Sequence, residues 1–328
     1  MQKIEKHIPD KKDLTSFLEK KIFKEPILSL YQFQRGSSSF NYLVTLQNKK
    51  VLVKLAWKYK KKGVERLVQI INLLSNQKDL PIAKILSFNN KNMFKYKNSY
   101  GVVLEYIEGH SPAATKITME HIKKIIFAYK NIGKINIPNE KLLMPAYDFK
   151  QIQQTYLLNC EKMIKQTKIK FFFFFLLLKC KKNLIKIGNT PLKIFKDKKS
   201  IIHGDFHHNN LLFKNDKLVA ILDLEDLGFG YKSEDLLRFI FCLIARQPIF
   251  YPKKKTLFTY LNFITEEFSY SKEEWLTGLN SFALQKYKKM FSKVGKSNFS
   301  NIKKMIQILS FMHRYNQVES YFKNLKNH

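Results

Sequence analysis

The hydrophobic periodicity of the chain changes about one third of the way along, and this change limits the folds available to it. Several short runs near the start are rich in β-branched and aromatic residues and are separated by polar turns, which is typical of antiparallel strands. A stretch at 63–76 instead places apolar residues at helical spacing. The strand-like runs cover residues 29–36, 40–47, 50–57, 83–88 and 100–107.

From about residue 113 the pattern is mostly helical, apart from a polar run near 205 and a short hairpin-like pair at 218–226. A β-rich first third followed by a helix-rich remainder predicts an α+β protein with two lobes. We expect residues 1–108 to form the N-terminal β-rich lobe and residues 109–328 a helical C-terminal lobe. Helices are predicted at 13–24, 115–132, 147–184, 233–246, 254–267, 271–294 and 299–325.

The chain carries 59 lysine and arginine residues against 26 acidic residues, which gives a net charge of +33. A charge of this size attracts phosphate-bearing partners and anionic membrane surfaces. Codon usage in an AT-rich genome also enriches lysine, so the charge by itself does not specify a function. Direct binding of nucleic acid is disfavoured because no recognisable RNA or DNA module is present.

Neither a disulfide framework nor a membrane span is indicated. Cys160, Cys180 and Cys242 are odd in number and far apart. The N-terminal residues lack the apolar run of a signal peptide. The longest apolar block, at 171–178, is much shorter than the roughly 20 residues that a spanning helix needs. We therefore expect a cytoplasmic protein.

The run "IIHGDFHHNNLLF" at 201–213 concentrates polar side chains between aliphatic residues. Asp205 and Asn210 have the spacing of a kinase catalytic loop, in which the aspartate accepts the proton of an attacking hydroxyl. The asparagine oxygen is a suitable ligand for Mg²⁺, and Asp223, after a second apolar run, is another. Phosphoryl transfer needs mainly positioning and charge neutralisation, which these residue types supply.

A zinc or two-metal hydrolase is the rival interpretation of "HGDFHH", because histidine and aspartate are also metal ligands. The histidines elsewhere in the chain lack the spacing of a metal motif. The chain also has no G-x-x-x-x-G-K run, which argues against a P-loop nucleotide site.

"HGDFHHNN" followed by "AILDLEDLGFGYKSEDL" resembles the aminoglycoside phosphotransferase and choline kinase superfamily. "VLVKLA" and "VVLEYIEGHSP" resemble the phosphate-binding strand and the hinge of that superfamily, in the same order. The resemblance implies a protein-kinase-like fold, ATP and Mg²⁺ as cofactors, and an alcohol group as phosphate acceptor. It implies that Asp205 is catalytic, that Asn210 and Asp223 bind Mg²⁺, that Lys54 contacts the phosphates, and that Glu105, Tyr106 and Ile107 form the adenine hinge.

Other positions are assigned by the same resemblance, with two departures. Glu65 is the only carboxylate available to pair with Lys54 on the 63–76 helix, although the usual spacing points nearer to Gln69. Ser37 and Ser38 replace a glycine-rich phosphate loop. We expect His203 and Glu225 to support the site, and Asp235 to tie its helix to the catalytic loop.

The acceptor is predicted from charge. Cationic acceptors, such as choline and aminoglycosides, are disfavoured by so basic a chain. Lysines flank the apolar block at 168–186, which indicates either a buried helix or peripheral docking on an anionic membrane. Basic charge and H-G-D-x-H-x-x-N together resemble lipopolysaccharide-core heptose kinases, so we expect a sugar hydroxyl on an anionic lipid-linked glycan. The alternatives are a small-molecule kinase and an inactive pseudokinase that binds membranes or nucleic acid.

Overall fold

A computed structural model describes most of the chain, and its helices and strands fall into two compact units. The first unit comprises the described residues up to 135 together with Asn209–Glu225, and the second comprises the other described residues. The described residues are 8–33, 39–57, 61–77, 79–135, 154, 181–182, 185–186, 200–245, 253–291 and 298–325.

A five-stranded antiparallel sheet forms the base of the first unit. The strands lie in the order β1-β2-β3-β5-β4, so that β3 pairs with both β2 and β5 at the centre. Four of the five strand-like runs in the sequence therefore correspond to strands. Their bounds are β1 (Ser29–Phe33), β2 (Ser39–Thr45), β3 (Lys50–Ala56), β4 (Phe94–Tyr96) and β5 (Ser99–Glu105).

The strand predicted at 83–88 is wrong, and β4 takes the place beside β5 instead. The segment follows the edge of β5 through only two backbone hydrogen bonds, from Leu86 N–H to Val103 O and from Glu105 N–H to Lys84 O, both at 2.9 Å. Its apolar composition resembles a strand, but isolated bonds do not make a regular ladder.

One face of the sheet forms the core of the first unit. Alternate residues of a strand point to the same face, so Val51, Val53 and Leu55 of β3 are buried together. The N-terminal helix covers this face, as α1 (Lys11–Phe17) continues directly into a π-helical turn at Leu18–Phe23. The helical residues in this core are Leu14, Leu18 and Ile22.

Two further α-helices lie in the described part of the first unit. Helix α2 (Lys61–Ser75) buries the apolar stripe expected from its spacing. Helix α3 (Met119–Ile132) begins later than predicted because Thr118 caps it: Thr118 Oγ accepts the His121 N–H, and His121 Nδ1 accepts the Thr118 N–H. The buried residues of α2 are Val64, Leu67, Val68, Ile70, Ile71 and Leu74.

The remaining described strands form two antiparallel pairs, β7–β8 in the first unit and β6–β9 in the second. Asn215 and Asp216, which join β7 to β8, both have positive φ values, as a tight two-residue hairpin turn requires. The bounds are β6 (Ser200–Ile202), β7 (Leu211–Lys214), β8 (Lys217–Ile221) and β9 (Gly228–Gly230).

The division into units differs from the predicted boundary at residue 108, because α3 and the β7–β8 hairpin belong with the sheet. The backbones of His110 and Phe213 exchange two hydrogen bonds of 2.9 Å, which tie β7 to the segment that follows β5. Helix α3 packs against β8. Sequence patterns do not predict that the β7–β8 hairpin belongs to the first unit, because the hairpin is far from the strands of the sheet in the sequence.

Helices dominate the second unit, and four of the predicted helices are confirmed there. Trp275 is fully buried, and its ring stacks on Phe322 with a centroid separation of 5.2 Å. Phe241, Phe282 and Phe311 form a second aromatic cluster. The helices are α4 (Lys232–Ala245), α5 (Lys253–Glu267), α6 (Lys272–Phe291) and α7 (Asn298–Lys323).

None of the described helices has both the length and the apolar character needed to cross a membrane. The predicted helix at 147–184 and the apolar block at 171–178 lie almost entirely outside the described residues.

Gly101 of β5 provides a test of the packing in the first unit. A Cβ at this position would overlap the Phe94 ring and would lie 2.7 Å from the Leu55 side chain. We expect Gly101→Ala to lower the free energy of unfolding by about 1–3 kcal/mol through overpacking. Urea unfolding followed by circular dichroism measures the change.

Ser99→Ala is the control, since Ser99 lies in the same strand and is only half-buried. We expect it to change the free energy of unfolding by about 0.5 kcal/mol or less. An unchanged urea midpoint for Gly101→Ala would show that the packing around β5 is looser than described.

Candidate active site

Lys54 is the centre of a buried charge cluster in the first unit. It projects from β3, and only 8% of the residue is exposed. Its Nζ lies 2.5 Å from Glu225 Oε1 and 3.2 Å from Asp223 Oδ1. One ammonium group thus contacts both carboxylates of the D-x-E sequence that follows β8.

The β7–β8 hairpin explains how the polar motif and the D-x-E sequence come together. Asn210 immediately precedes β7, and Asp223 follows the end of β8. Leu222 N–H donates a 2.8 Å hydrogen bond to the Asn210 backbone oxygen, which closes this end of the hairpin. The backbones at the two proposed Mg²⁺ ligands are therefore adjacent.

Asp223 adopts a backbone conformation that is unusual for a residue with a side chain. Its φ is +63°, in the left-handed region, which costs a non-glycine residue about 1–3 kcal/mol. The side chain is 44% exposed, and Oδ1 is the oxygen that contacts Lys54. Strain of this kind is concentrated at functional sites, because tertiary contacts must maintain it.

The electrostatics of the cluster keep Lys54 charged. Burial acts to lower the pKa of the ammonium, but the carboxylates of Glu225 and Asp223 raise it by more. The net pKa of Lys54 therefore lies above its ordinary value. A permanently cationic, enclosed ammonium suits the binding of an anion such as phosphate.

The expected partnership between Glu65 and Lys54 is wrong. Glu65 contacts Lys61 at 3.4 Å, one turn earlier on α2, and its side chain is 42% exposed. Gln69 is exposed as well. The helix instead directs Arg66 to this region, where the guanidinium donates a 2.9 Å hydrogen bond to the Glu225 backbone oxygen.

The predicted hinge lies directly after β5. Glu105 ends the strand and bonds to Lys84 through its backbone, while Tyr106 and Ile107 follow it and are half-buried. No backbone hydrogen bond links Tyr106 or Ile107 to any other described residue. Ser37 and Ser38 lie outside the described residues, so their predicted contact with phosphate stays a prediction.

An apolar row crosses the sheet beside Lys54. Leu52 precedes Lys54 by two residues and so shares its face of the sheet. Leu52 is paired with Leu43 on one side and Leu104 on the other, and Tyr31 is paired with Leu43. The row is exposed at Tyr31, half-buried at Leu43 and Leu52, and buried at Leu104.

The loop that contains Asp205 belongs to the second unit and is held by Asp235, as predicted. Asp235 Oδ2 accepts hydrogen bonds from His203 N–H at 2.6 Å and Gly204 N–H at 3.1 Å. Gly204 has a φ of +81°, and a Cβ there would overlap the Asp226 backbone oxygen. The loop therefore requires glycine at this position.

His203 supports Asp205 from within the loop. The imidazole is fully buried, and its Nδ1 accepts the Asp205 backbone N–H at 3.3 Å. The side chain of Asp205 is 27% exposed, with Oδ2 at 3.3 Å from His207 Nε2 and Oδ1 at 3.9 Å from Arg238. Asp205 thus keeps a solvent-accessible carboxylate while its backbone is fixed.

Arg238 links Asp205 to a buried polar network that the sequence analysis missed. Its guanidinium contacts Glu234 Oε1 at 2.9 Å and Gln285 Oε1 at 2.5 Å, and it lies 3.8 Å from Asp235. The spacing of Glu234 and Asp235 before Arg238 on α4 is a readable signal for helix ion pairs. Gln285 comes from α6, and no sequence signal indicated it.

Burial disfavours the charged form of each ionisable side chain in this network. It raises the pKa of Asp235 and of Glu234, although Arg238 acts in the opposite direction on both. Burial lowers the pKa of Arg238, but Glu234 and Asp235 raise it to a net value above the ordinary one. Each buried charge therefore depends on its neighbours.

Asp223 and Asn210 offer oxygen donors of the kind that Mg²⁺ takes from proteins. Among the described residues, no group of three or more His, Cys, Asp or Glu side chains is arranged to hold a metal ion. Mg²⁺ takes one or two protein oxygens and completes its shell with water and phosphate. The Asp223 carboxylate and the Asn210 side-chain oxygen are a donor set of that kind.

A sequence model described as the phosphotransferase enzyme family matches residues 29–253. The chain belongs to this family. It is a kinase that transfers a phosphoryl group to a hydroxyl. The matched segment contains Lys54, the polar motif and the D-x-E sequence, whereas no curated protein sequence matches the chain.

Solved phosphotransferase structures share the fold across almost their whole length. A spectinomycin phosphotransferase in complex with ADP and spectinomycin is 15% identical, with a TM-score of 0.68 over 95% of this chain and 100% of that one. An aminoglycoside phosphotransferase from Alicyclobacillus acidocaldarius is 12% identical, with a TM-score of 0.68 over 97% and 96%. The streptomycin–ATP complex of a third is 18% identical, with a TM-score of 0.60 over 93% and 97%. The predicted α+β, protein-kinase-like fold is confirmed.

Arg238→Met tests the buried network of this phosphotransferase. Without Arg238, the pKa values of Glu234 and Asp235 rise further above those in the unfolded chain. Raised carboxyl pKa values favour the folded state below the unfolded pKa, near 4, and this contribution is lost as the pH rises through the folded pKa. We expect a loss of about 3–5 kcal/mol at pH 8 and a smaller loss at pH 5.

Urea unfolding at the two pH values measures these losses, with Arg314→Met as the control. Arg314 is half-buried, and no ion pair joins it to a carboxylate among the described residues. Its substitution should leave the pH dependence unchanged. Equal losses for Arg238→Met at pH 5 and pH 8 would contradict the assigned role of the network.

Proposed function

We propose that the chain is an ATP- and Mg²⁺-dependent phosphotransferase in which Lys54 holds the nucleotide phosphates and Asp205 activates the acceptor hydroxyl. The observation that carries the proposal is the buried contact of Lys54 with Asp223 and Glu225. A cation enclosed in this way, with a half-exposed carboxylate beside it, suits a metal-bound triphosphate.

The surface around Lys54 supports nucleotide as the donor. The apolar row of Tyr31, Leu43, Leu52 and Leu104 lies on the same face of the sheet and suits the face of a purine ring. The predicted hinge follows Leu104 in sequence. The backbone groups of Tyr106 and Ile107, which have no backbone hydrogen-bond partner among the described residues, are suited to the polar edge of a purine ring. ADP or ATP is bound in two of the similar structures named above, and we extend this to the present chain.

Asn210 and Asp223 would hold Mg²⁺ through their side-chain oxygens. When bound, the metal would neutralise charge on the phosphates and stabilise the transferring group. Two features would position these ligands. A backbone hydrogen bond from Leu222 to Asn210 closes the end of the hairpin, and Asp223 has a left-handed backbone conformation.

Asp205 would accept the proton of the acceptor hydroxyl. Its carboxylate is partly exposed, while the backbone N–H is fixed by His203 and the loop is fixed by Asp235. A base held in one orientation lowers the entropy cost of reaching the transition state.

Asp205→Asn should lower kcat by a factor on the order of 10²–10⁴, because the amide cannot accept the proton. Binding of ADP should be retained, since the Lys54 cluster is built without Asp205. Steady-state kinetics and isothermal titration with ADP measure the two quantities. Asp216→Asn, at the exposed β7–β8 turn, is the control and should keep full activity. Full activity of Asp205→Asn would remove Asp205 from the mechanism.

The acceptor we propose is a sugar hydroxyl on an anionic lipid-linked glycan, such as the core of lipopolysaccharide. The net charge of +33 supports this choice, because it favours negatively charged acceptors over cations. With such an acceptor, the kinase would act at the inner face of a membrane and would contact the membrane surface through lysine side chains.

A small-molecule kinase is the second candidate, and the structural neighbours favour it. The similar proteins include complexes with spectinomycin and with streptomycin, both of which are small molecules. An inactive binding protein is not favoured, because the chain belongs to a family of phosphotransferase enzymes.

Incubation of the pure protein with γ-labelled ATP and fractionated cell extract tests the acceptor. We expect label in the lipid-glycan fraction, at a rate that falls with ionic strength as charge attraction is screened. The Asp205→Asn protein provides the background. Label in the small-molecule fraction alone would contradict the anionic glycan and support the second candidate, and no label in any fraction would contradict activity.

A further inference from the structure

The carboxylate nearest to Lys54 belongs to Glu225 rather than to Asp223. The distance to Lys54 Nζ is 2.5 Å from Glu225 and 3.2 Å from Asp223. The Glu225 side chain is 7% exposed, whereas the Asp223 side chain is 44% exposed. The ion pair between Lys54 and Glu225 is therefore shorter and more buried than the ion pair between Lys54 and Asp223.

Helix α2 does not supply a carboxylate to Lys54. Glu65 is directed to Lys61, and Gln69 is exposed. Arg66 reaches the same region with a positive charge and bonds to the backbone oxygen of Glu225. The helix thus steadies the chain at Glu225 and leaves the pairing of the lysine to the Glu225 side chain.

We infer that Glu225 is the positioning residue for Lys54 in nucleotide binding, in place of a helix carboxylate. The inference rests on the proposed function, because it assumes that Lys54 contacts phosphate. The two carboxylates that contact Lys54 then have different roles. Glu225 fixes the ammonium, and Asp223 keeps one carboxylate oxygen for other ligands.

The physical reason is the flexibility of lysine. An ammonium on a four-carbon stem has many rotamers, and a buried partner selects one of them before the nucleotide arrives. Without Glu225, Asp223 would be the carboxylate left to pair with the ammonium among the described residues. A full ion pair there would move Lys54 away from its present position and engage the proposed metal ligand.

Binding of ADP in the presence of EDTA tests the inference, because no metal takes part. We expect Glu225→Gln to raise the Kd of ADP about tenfold, within the range found for coupled contacting residues. On charge alone, loss of a carboxylate would tighten the binding of an anion. Weaker binding therefore reports the lost position of Lys54.

Two further variants separate positioning from a general structural role. In the Lys54→Met background, Glu225→Gln should cause no further loss of ADP affinity, because the side chain through which it acts is gone. Glu65→Gln should leave the Kd unchanged, since Glu65 contacts Lys61. An additive loss in the double variant, or a loss in Glu65→Gln, would overturn the inference.

Other outcomes also overturn it. Unchanged or tighter ADP binding by Glu225→Gln would show that Glu225 does not position Lys54. A deficit seen only when Mg²⁺ is added would make Glu225 a metal ligand instead. If the unaltered protein bound no ADP with or without Mg²⁺, the proposed function itself would fail, which is a distinguishable result.

Folding of the variants is monitored by thermal unfolding. If Glu225→Gln alone does not fold, the double variant with Lys54→Met is decisive, because it removes both buried charges. Recovery of a cooperative transition would support the pairing of the two residues. Failure to recover would overturn it.

Discussion

A lysine ammonium buried in a protein must meet opposite charge, since an uncompensated charge in the interior costs several kcal/mol. Lys54 meets this requirement through Glu225 and through Asp223, which lies 169 positions later in the chain. These contacts hold the segment after β8 against β3. They also give a reason why Asn209–Glu225 belongs to the strand-rich unit although the neighbouring residues do not.

The second unit uses buried charge in a related way. Asp235 accepts the two backbone N–H groups that shape the Asp205 loop, and Arg238 neutralises Asp235 and Glu234 from the same helix. Replacing such a network by apolar side chains often leaves stability unchanged, so its value lies in the geometry it imposes. Here that geometry fixes the backbone at Asp205 and leaves its carboxylate accessible.

Local patterns were sufficient for most of the fold. The spacing of apolar residues predicted α2 and the helices of the second unit, and the polar motif supplied Asp205, Asn210 and Asp223 as candidates for the chemistry. The strand at 83–88 was wrong because composition alone cannot tell a regular ladder from two isolated hydrogen bonds. The domain boundary differed because the β7–β8 hairpin returns to the sheet from a distant position.

Sequence patterns predicted the type of most elements and proposed a set of residues for phosphoryl transfer. Periodicity and motif spacing are local properties, so they can be read directly. The contacts of the folded chain were needed to show that Glu225 rather than Glu65 pairs with Lys54, and that Gln285 completes the surroundings of Arg238. These contacts join residues far apart in the chain, and their strength depends on burial, which no local pattern encodes.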